Sequence, residues 1–547
     1  MTSYFIGIDV GTGSARAGVF DGSGKLLGSA KRPITIWHEA GHIVEQSSEQ
    51  IWQAICGSVR DAVAEAGITA SDVAGIGFDA TCSLVAVKAD GSPVAVGPSG
   101  DSVRNIIVWM DHRAAREAAE INGGDHEVLR YVGGRISPEM ETPKLLWLKR
   151  NLPQSFAATD YFFDLADYLT WRSTGSLSRS VCTVTCKWTY LAHEKRWDAA
   201  YFRDIGLSEL ADEGFSRIGT DIVDPGSALG SGLIENAARD LGLVAGTPVA
   251  ASLIDAHAGG IGTLGAQGAD GKINLESRLA YIFGTSACSM ASNQAPIFVD
   301  GVWGPYYSAM VPGLWLTEGG QSAAGAAIDH LVAMHPASAE AQSKAEAAGL
   351  SLVAWLDRRA SEACPDPKEA VTLAKSIHVV PEFLGNRSPH ADPDARAVIA
   401  GQGLENDISD LVSLYIAGLC GIGYGLKQLI ETLAANGIRI DTIVASGGAA
   451  QSNLVRQLLA DTTHIPVAVT DTDEPVLLGA AMLGALASGR YQSLDAAMRA
   501  MSRFSQVFEP AGGATASLHG KRYEAFERLQ RAEREVRALF ADTASAE

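Results

Sequence analysis

Apolar positions along the chain fall into short runs closed by glycine turns. Tyr4-Phe5-Ile6-Gly7-Ile8-Asp9-Val10 leads into Gly11-Thr12-Gly13 and a second run from Ser14 to Phe20, and Asp21-Gly22-Ser23-Gly24 opens a third from Lys25. Runs joined in this way predict an antiparallel meander. Between Glu49 and Ala66 the spacing changes: Ile51, Trp52, Ile55, Val59 and Val63 recur near the helical period, which predicts a helix. A strand is expected over 75–79. After Thr81-Cys82-Ser83 comes an apolar run, Leu84 to Val87, closed by Asp90-Gly91-Ser92.

The second half repeats this grammar. Leu279 to Phe283 ends in Gly284-Thr285-Ser286 and resumes at Ala287, so strand, Gly-Thr turn and strand recur. Asp441 to Ser446 runs into Gly447-Gly448 and a helical stretch over 453–461. Leu477-Leu478-Gly479-Ala480-Ala481-Met482-Leu483-Gly484-Ala485 predicts a helix packed closely enough to require small residues, a core element more than a site. From about Gly520 to Phe540, charge alternates with Tyr523, Phe526, Leu529 and Val536, as on a surface helix. Two similar openings predict two related α/β domains facing each other, 1–254 and 255–547, with the seam at Leu253-Ile254-Asp255.

Composition narrows the function classes. The 547 residues carry 43 basic and 63 acidic side chains, a net charge of −20, and no local basic stripe. Such a surface repels nucleic acid and anionic membranes, so neither is expected as a partner, and an anionic ligand must be held by backbone amides and metal. No signal-peptide pattern opens the chain and no run approaches about 18 apolar residues, so a cytoplasmic location is expected. The seven cysteines are odd in number and scattered. Cys182 and Cys186 match neither a CxxC motif nor a zinc knuckle, and free thiols are expected. Oligomeric state is not written in the sequence, and a homodimer stands as one option.

Three segments carry candidate chemistry. Gly11-Thr12-Gly13 is either an ordinary hairpin turn or one whose amides and hydroxyl meet an anion, with Asp9 placed to hold a divalent cation. The dinucleotide fingerprint fails because Arg16 stands where a glycine is needed and the strand leads into another strand. Asp255, at the end of an apolar strand, suits a general base and equally a helix start. Gly447-Gly448-Ala449, followed by Asn453, is a strand-to-helix turn able to face a phosphate or a flat ring. Taken singly, Trp109, Asp111, His112, Lys187 and Glu318 read as packing or surface residues.

Together these segments resemble the FGGY carbohydrate kinases. The resemblance rests on Gly7-Ile8-Asp9-Val10-Gly11-Thr12, Trp109-Met110-Asp111-His112-Arg113, Pro138 to Trp147, Asp255-Ala256-His257, Gly284-Thr285-Ser286, Glu318-Gly319-Gly320-Gln321-Ser322 and Gly447-Gly448-Ala449, in that order. It implies an α/β fold of two ribonuclease-H-like domains with ATP, Mg²⁺ and a sugar meeting in the cleft between them. Phe78 to Val85 is most similar to the D-ribulose kinase branch. The spacing around Lys144 departs from other sugar kinases of the family and leaves the sugar open among D-ribulose, L-ribulose, xylulose and ribitol. A non-catalytic nucleotide or sugar sensor on the same frame is the rival reading. By the same resemblance, Asp255 would be the catalytic base and Asp9 the metal contact. Cys82, Trp109, Asp111, Lys187 and Glu318 would meet the sugar. Gly11, Thr12, Gly13, Gly284, Thr285 and Ser286 would hold the phosphates, and Gly447, Gly448, Ala449 and Asn453 the adenine.

Overall fold

A computed structural model describes residues 3–268 and 273–540. Its N-terminal half is built on a sheet of β1 (Tyr4–Val10), β2 (Ser14–Asp21), β3 (Leu26–Pro33), β4 (Val73–Ala80) and β5 (Leu253–Ile254), in the order β5-β4-β1-β2-β3. The first three strands form the expected meander, and β4 and β5 run parallel to β1. The second half carries β6 (Arg278–Phe283), β7 (Ala287–Asn293), β8 (Trp303–Tyr307), β9 (Trp315–Gln321), β10 (Thr442–Ser446), β11 (Val467–Thr470) and β12 (Phe504–Phe508), in the order β8-β9-β7-β6-β10-β11-β12. Here too an antiparallel meander precedes two parallel neighbours, β10 and β11. The two sheets therefore share the ribonuclease-H-like strand order.

Helices flank the sheets: α1 (Ser48–Ala66), α2 (Asp255–Leu264), α3 (Ile408–Ala435), α4 (Asn453–Thr463), α5 (Pro475–Ala487) and α6 (Gly513–Ala538). The sequence marks the ends of α1. The Ser47 side chain accepts from the Gln50 amide, and Gly67 closes the helix in the left-handed conformation. A third, smaller sheet takes in Leu84–Val87 beside Tyr161–Asp164 and three short strands, which the apolar pattern does not foresee.

The small-residue helix α5 belongs to the second half but packs against β1 and β4 of the first and against α2. Glycine makes this approach sterically allowed. A Cβ on Gly7 would sit 1.9 Å from the Leu477 carbonyl oxygen, and one on Gly479 1.9 Å from that of Ala258. By length and composition α3, with 28 residues, is apolar enough to cross a membrane, but 83% of its apolar window is buried in the second core.

Candidate active site

The register of the N-terminal sheet brings acidic side chains to one edge. Asp9 on β1 lies opposite Asp79 on β4, Leu253 of β5 lies opposite Asp79 on its other side, and Asp255 follows directly at the first turn of α2. Cross-strand pairing also places Arg16 opposite Asp9. Its Nε donates to Asp9 Oδ2 at 2.7 Å and its Nη1 to Glu474 Oε2, also at 2.7 Å. Asp79 is fully buried, and among the described residues no N–H donor reaches either of its oxygens. Burial first, then the charge of Asp9 and a hydrogen bond between the two carboxyls, and after them the charge of Asp255, push its carboxyl well above the usual range. Asp79 is an acidic residue that sequence reasoning gave no role, although it stands near the end of an apolar strand just as Asp9 does.

Asp255 Oδ1 accepts from the Ala256 amide at 2.7 Å, so the residue does open a helix, and its carboxylate also faces a cavity of about 280 Å³. Burial, followed by the nearby charge of Asp9, raises its pKa to about 6. The raised pKa makes Asp255 a stronger base than an ordinary carboxylate.

The cavity collects residues from distant parts of the chain. Asp9, Gly11 and Thr12 line it from the first turn, and Gly284, Thr285 and Ser286 from the matching turn after β6. Cys82, Trp109, Lys187 and Glu318 line the rest, and Trp303, Glu139, Arg387 and Cys288 join them unforeseen. Glu139 and Arg387 lie on irregular segments, where no periodicity signals burial. Each turn is closed by its glycine amide, but the first is one residue longer: Gly11 donates to the Ser14 carbonyl and Gly284 to that of Ser286. Trp109 Nε1 donates to Thr12 Oγ1 at 3.0 Å, which ties the indole to the first turn. On the opposite wall Lys187 Nζ sits 4.7 Å from the centre of the Trp303 ring. Burial opposes charge on both Lys187 and Glu318, yet each stays ionised. Cys82 and Glu318 hold the Lys187 pKa well above its usual value, while Lys187 and His257 hold Glu318 down to about 2.

A second cavity, of about 660 Å³, is lined by Gly448, Ala449, Ser452, Asp357 and Tyr415, and it shares Gly284 and Thr285 with the first. The two spaces meet at the Gly-Thr turn of the second half.

Four expected residues line neither cavity. Asp111 is fully buried, and its carboxylate is occupied by the Val44 amide at 2.6 Å and by the backbone amide and Nε of Arg113 at 2.9 Å. It anchors a loop and cannot meet a sugar. Asn453 is exposed and accepts from Arg456, while its neighbour Ser452 caps α4 and faces the cavity. Gly447 has a φ of 93°, and a Cβ there would meet the Phe283 carbonyl oxygen at 2.5 Å, so its role is close packing. Gly13 sits on the exposed side of its turn. The cysteine pair, by contrast, gains a neighbour from far along the chain. Ligand atoms of Cys182, Cys186 and His257 lie within 4.8 Å of one another, a third group that sequence spacing does not supply.

The N-terminal domain of the FGGY family of carbohydrate kinases matches residues 4–262, and the C-terminal domain of that family matches residues 279–488. The chain is 45% identical over 545 residues to the human FGGY carbohydrate kinase domain-containing protein, covering 98% of both. It is 40% identical over 513 residues to a D-ribulokinase of Saccharomyces cerevisiae, covering 89% of this chain and 72% of that one. Among solved structures, a xylulose kinase from Rhodospirillum rubrum superposes with a TM-score of 0.76 at 22% identity, covering 97% and 99% of the two chains. A gluconate kinase from Lactobacillus acidophilus gives 0.75 at 19%, covering 99% of each. At that identity the structural likeness concerns the fold.

Proposed function

Because the chain belongs to the FGGY family of carbohydrate kinases and is an ATP-dependent sugar kinase, we propose that it phosphorylates a ketopentose at a terminal hydroxyl, with D-ribulose as substrate and D-ribulose 5-phosphate as product. The observation that carries this reading is the meeting of two cavities at Gly284 and Thr285. The smaller holds paired charges and a carboxylate base suited to a polyol, and the larger combines the bare backbone of Gly448 and Ala449 with apolar walls at Ile328, Tyr415 and Leu419, which suits a nucleotide. The D-ribulokinase relative supports the choice of sugar.

In this reading residues 1–254 form the sugar side and 255–547 the nucleotide side. Asp255 accepts the proton of the terminal hydroxyl as that oxygen bonds to the γ-phosphorus of ATP, the bond from phosphorus to the β–γ bridging oxygen breaks, and ADP leaves. Lys187 donates to the sugar carbonyl, Glu318 accepts from hydroxyls, and Cys82 and Trp109 close the walls. Thr12, Thr285 and Ser286 offer hydroxyls to the phosphates, while Gly448 and Ala449 lie against the adenine. Asp9 lines the cavity with the Asp79 carboxyl beside it on β4, and this pair of acids fits a divalent cation. Mg²⁺ held there would neutralise phosphate charge.

The test is a panel of D-ribulose, L-ribulose, xylulose and ribitol in an ADP-release assay. Release greatest with D-ribulose supports the proposal, and preference for another sugar moves the assignment within the family. ATP binding without sugar-dependent release would favour a sensor and overturn it.

A further inference from the structure

Glu318 has one side-chain partner that the reaction described above does not use. His257 Nε2 lies 3.3 Å from Glu318 Oε2, and the other ring nitrogen, Nδ1, lies 3.0 Å from Cys182 Sγ. The Cys182 sulfur also accepts from the Ile254 amide at 3.4 Å, on the strand that presents Asp255. His257 and Cys182 are almost completely buried and line neither cavity, so they reach the sugar only through Glu318.

We propose that His257 is a positioning residue for sugar recognition: held by Cys182 at Nδ1, it donates from Nε2 to Glu318 and fixes that carboxylate against the sugar hydroxyls. The inference rests on the sugar-kinase reading of Glu318 and adds residues to it. The direction of the bond follows from valence. If Cys182 is a thiol, its S–H donates to Nδ1 and the neutral ring carries its proton on Nε2. If Cys182 is a thiolate, the ring is an imidazolium and both nitrogens donate. In each case Glu318 receives Nε2–H. Burial alone would raise the Cys182 thiol and disfavour a charged imidazole. The Cys186 thiol and His257 bring Cys182 down to about 5, and Cys182 with Glu318 lifts His257 to about 10, which favours the ionised form of the pair. Without the ring, Glu318 would rotate about its side-chain torsions beside Lys187, and its oxygens would no longer be aimed.

Two substitutions separate positioning from packing. The amide nitrogen of His257→Gln stands near the place of Nε2 and can still donate to Glu318, whereas the shorter His257→Asn reaches only the Cys182 side. His257→Asn is expected to raise KM for the pentulose roughly ten- to hundredfold, the loss typical of a hydrogen bond to a charged group. KM for ATP should stay unchanged, and His257→Gln should restore most of the affinity. Equal effects of the two substitutions, or a parallel rise in KM for ATP, would overturn the proposal. Should His257→Asn fail to fold, the ¹⁵N-coupled Nε2 proton of His257 in the unsubstituted protein decides. A slowly exchanging resonance that moves on Glu318→Gln supports the bond, and one indifferent to that change refutes it. If the unsubstituted protein phosphorylates no pentulose, the reading of the function fails, while the ring proton still reports on the contact.

Discussion

Where β1 ends beside β4 the facing residues are Asp9 and Asp79; at the matching rung of the second sheet, where β6 runs beside β10, they are Ile282 and Ser446. In both places the strand continues into a Gly-Thr turn, Gly11-Thr12 in one and Gly284-Thr285 in the other, and returns antiparallel. One scaffold thus appears twice with opposite electrostatics. The first half gathers carboxylates at its strand ends and raises the pKa of Asp255, and the second ends its paired strands on uncharged residues beside a larger space, whose acids Asp329 and Asp357 come from helices. A charged sheet end can move protons and hold cations. An uncharged one leaves backbone and hydroxyls facing a phosphate and room for a flat ring.

This division of labour can be broken by substitution. Asp255→Asn should lower kcat by about a hundredfold or more, as removal of a general base does, with the thermal midpoint and ATP affinity retained. Near-unchanged turnover would remove the carboxylate edge from the chemistry. Gly7→Ala acts on the contact that joins the halves: a Cβ 1.9 Å from the Leu477 carbonyl oxygen forces β1 away from α5. A destabilisation of about 1–3 kcal/mol, read from chemical denaturation, is expected for such overpacking. No loss would mean that strand and helix separate freely.

On the neutral side, Ala449→Phe fills the larger cavity and should raise KM for ATP roughly tenfold while sparing KM for the pentulose. A change confined to the sugar would invert the assignment of the two spaces. The mildest probe is pH. The base must be ionised, and its pKa is raised to about 6, so activity should hold above that value and fall by roughly tenfold per unit below it. A profile flat down to pH 4.5 would show that the carboxylate is not perturbed in the working enzyme.

Much of the frame is legible in the chain because β1, β2, β6 and β10 are short apolar runs closed by glycine and β4 is one closed by Thr81-Cys82-Ser83, and their period needs no tertiary information. The helix α1 announces itself by period and cap, and α5 by its small residues. The third sheet and the loops bearing Glu139 and Arg387 are not legible, since their partners lie far apart in sequence and their residues follow no repeat. Trp109 illustrates a partial reading: the residue does line the cavity, but its indole nitrogen is fixed to Thr12.

The sequence by itself determined the strand-and-turn grammar, its repetition and the acids that end apolar strands, because local period and turn chemistry act over a few residues. Only the tertiary structure decided how those acids are used. Asp111 is consumed by Arg113 and Val44, Asp79 is buried with its carboxyl against that of Asp9, and His257 bridges Cys182 to Glu318. Charge, hydrogen bonding and burial depend on neighbours brought together by strand register and helix packing, and no window of sequence contains them.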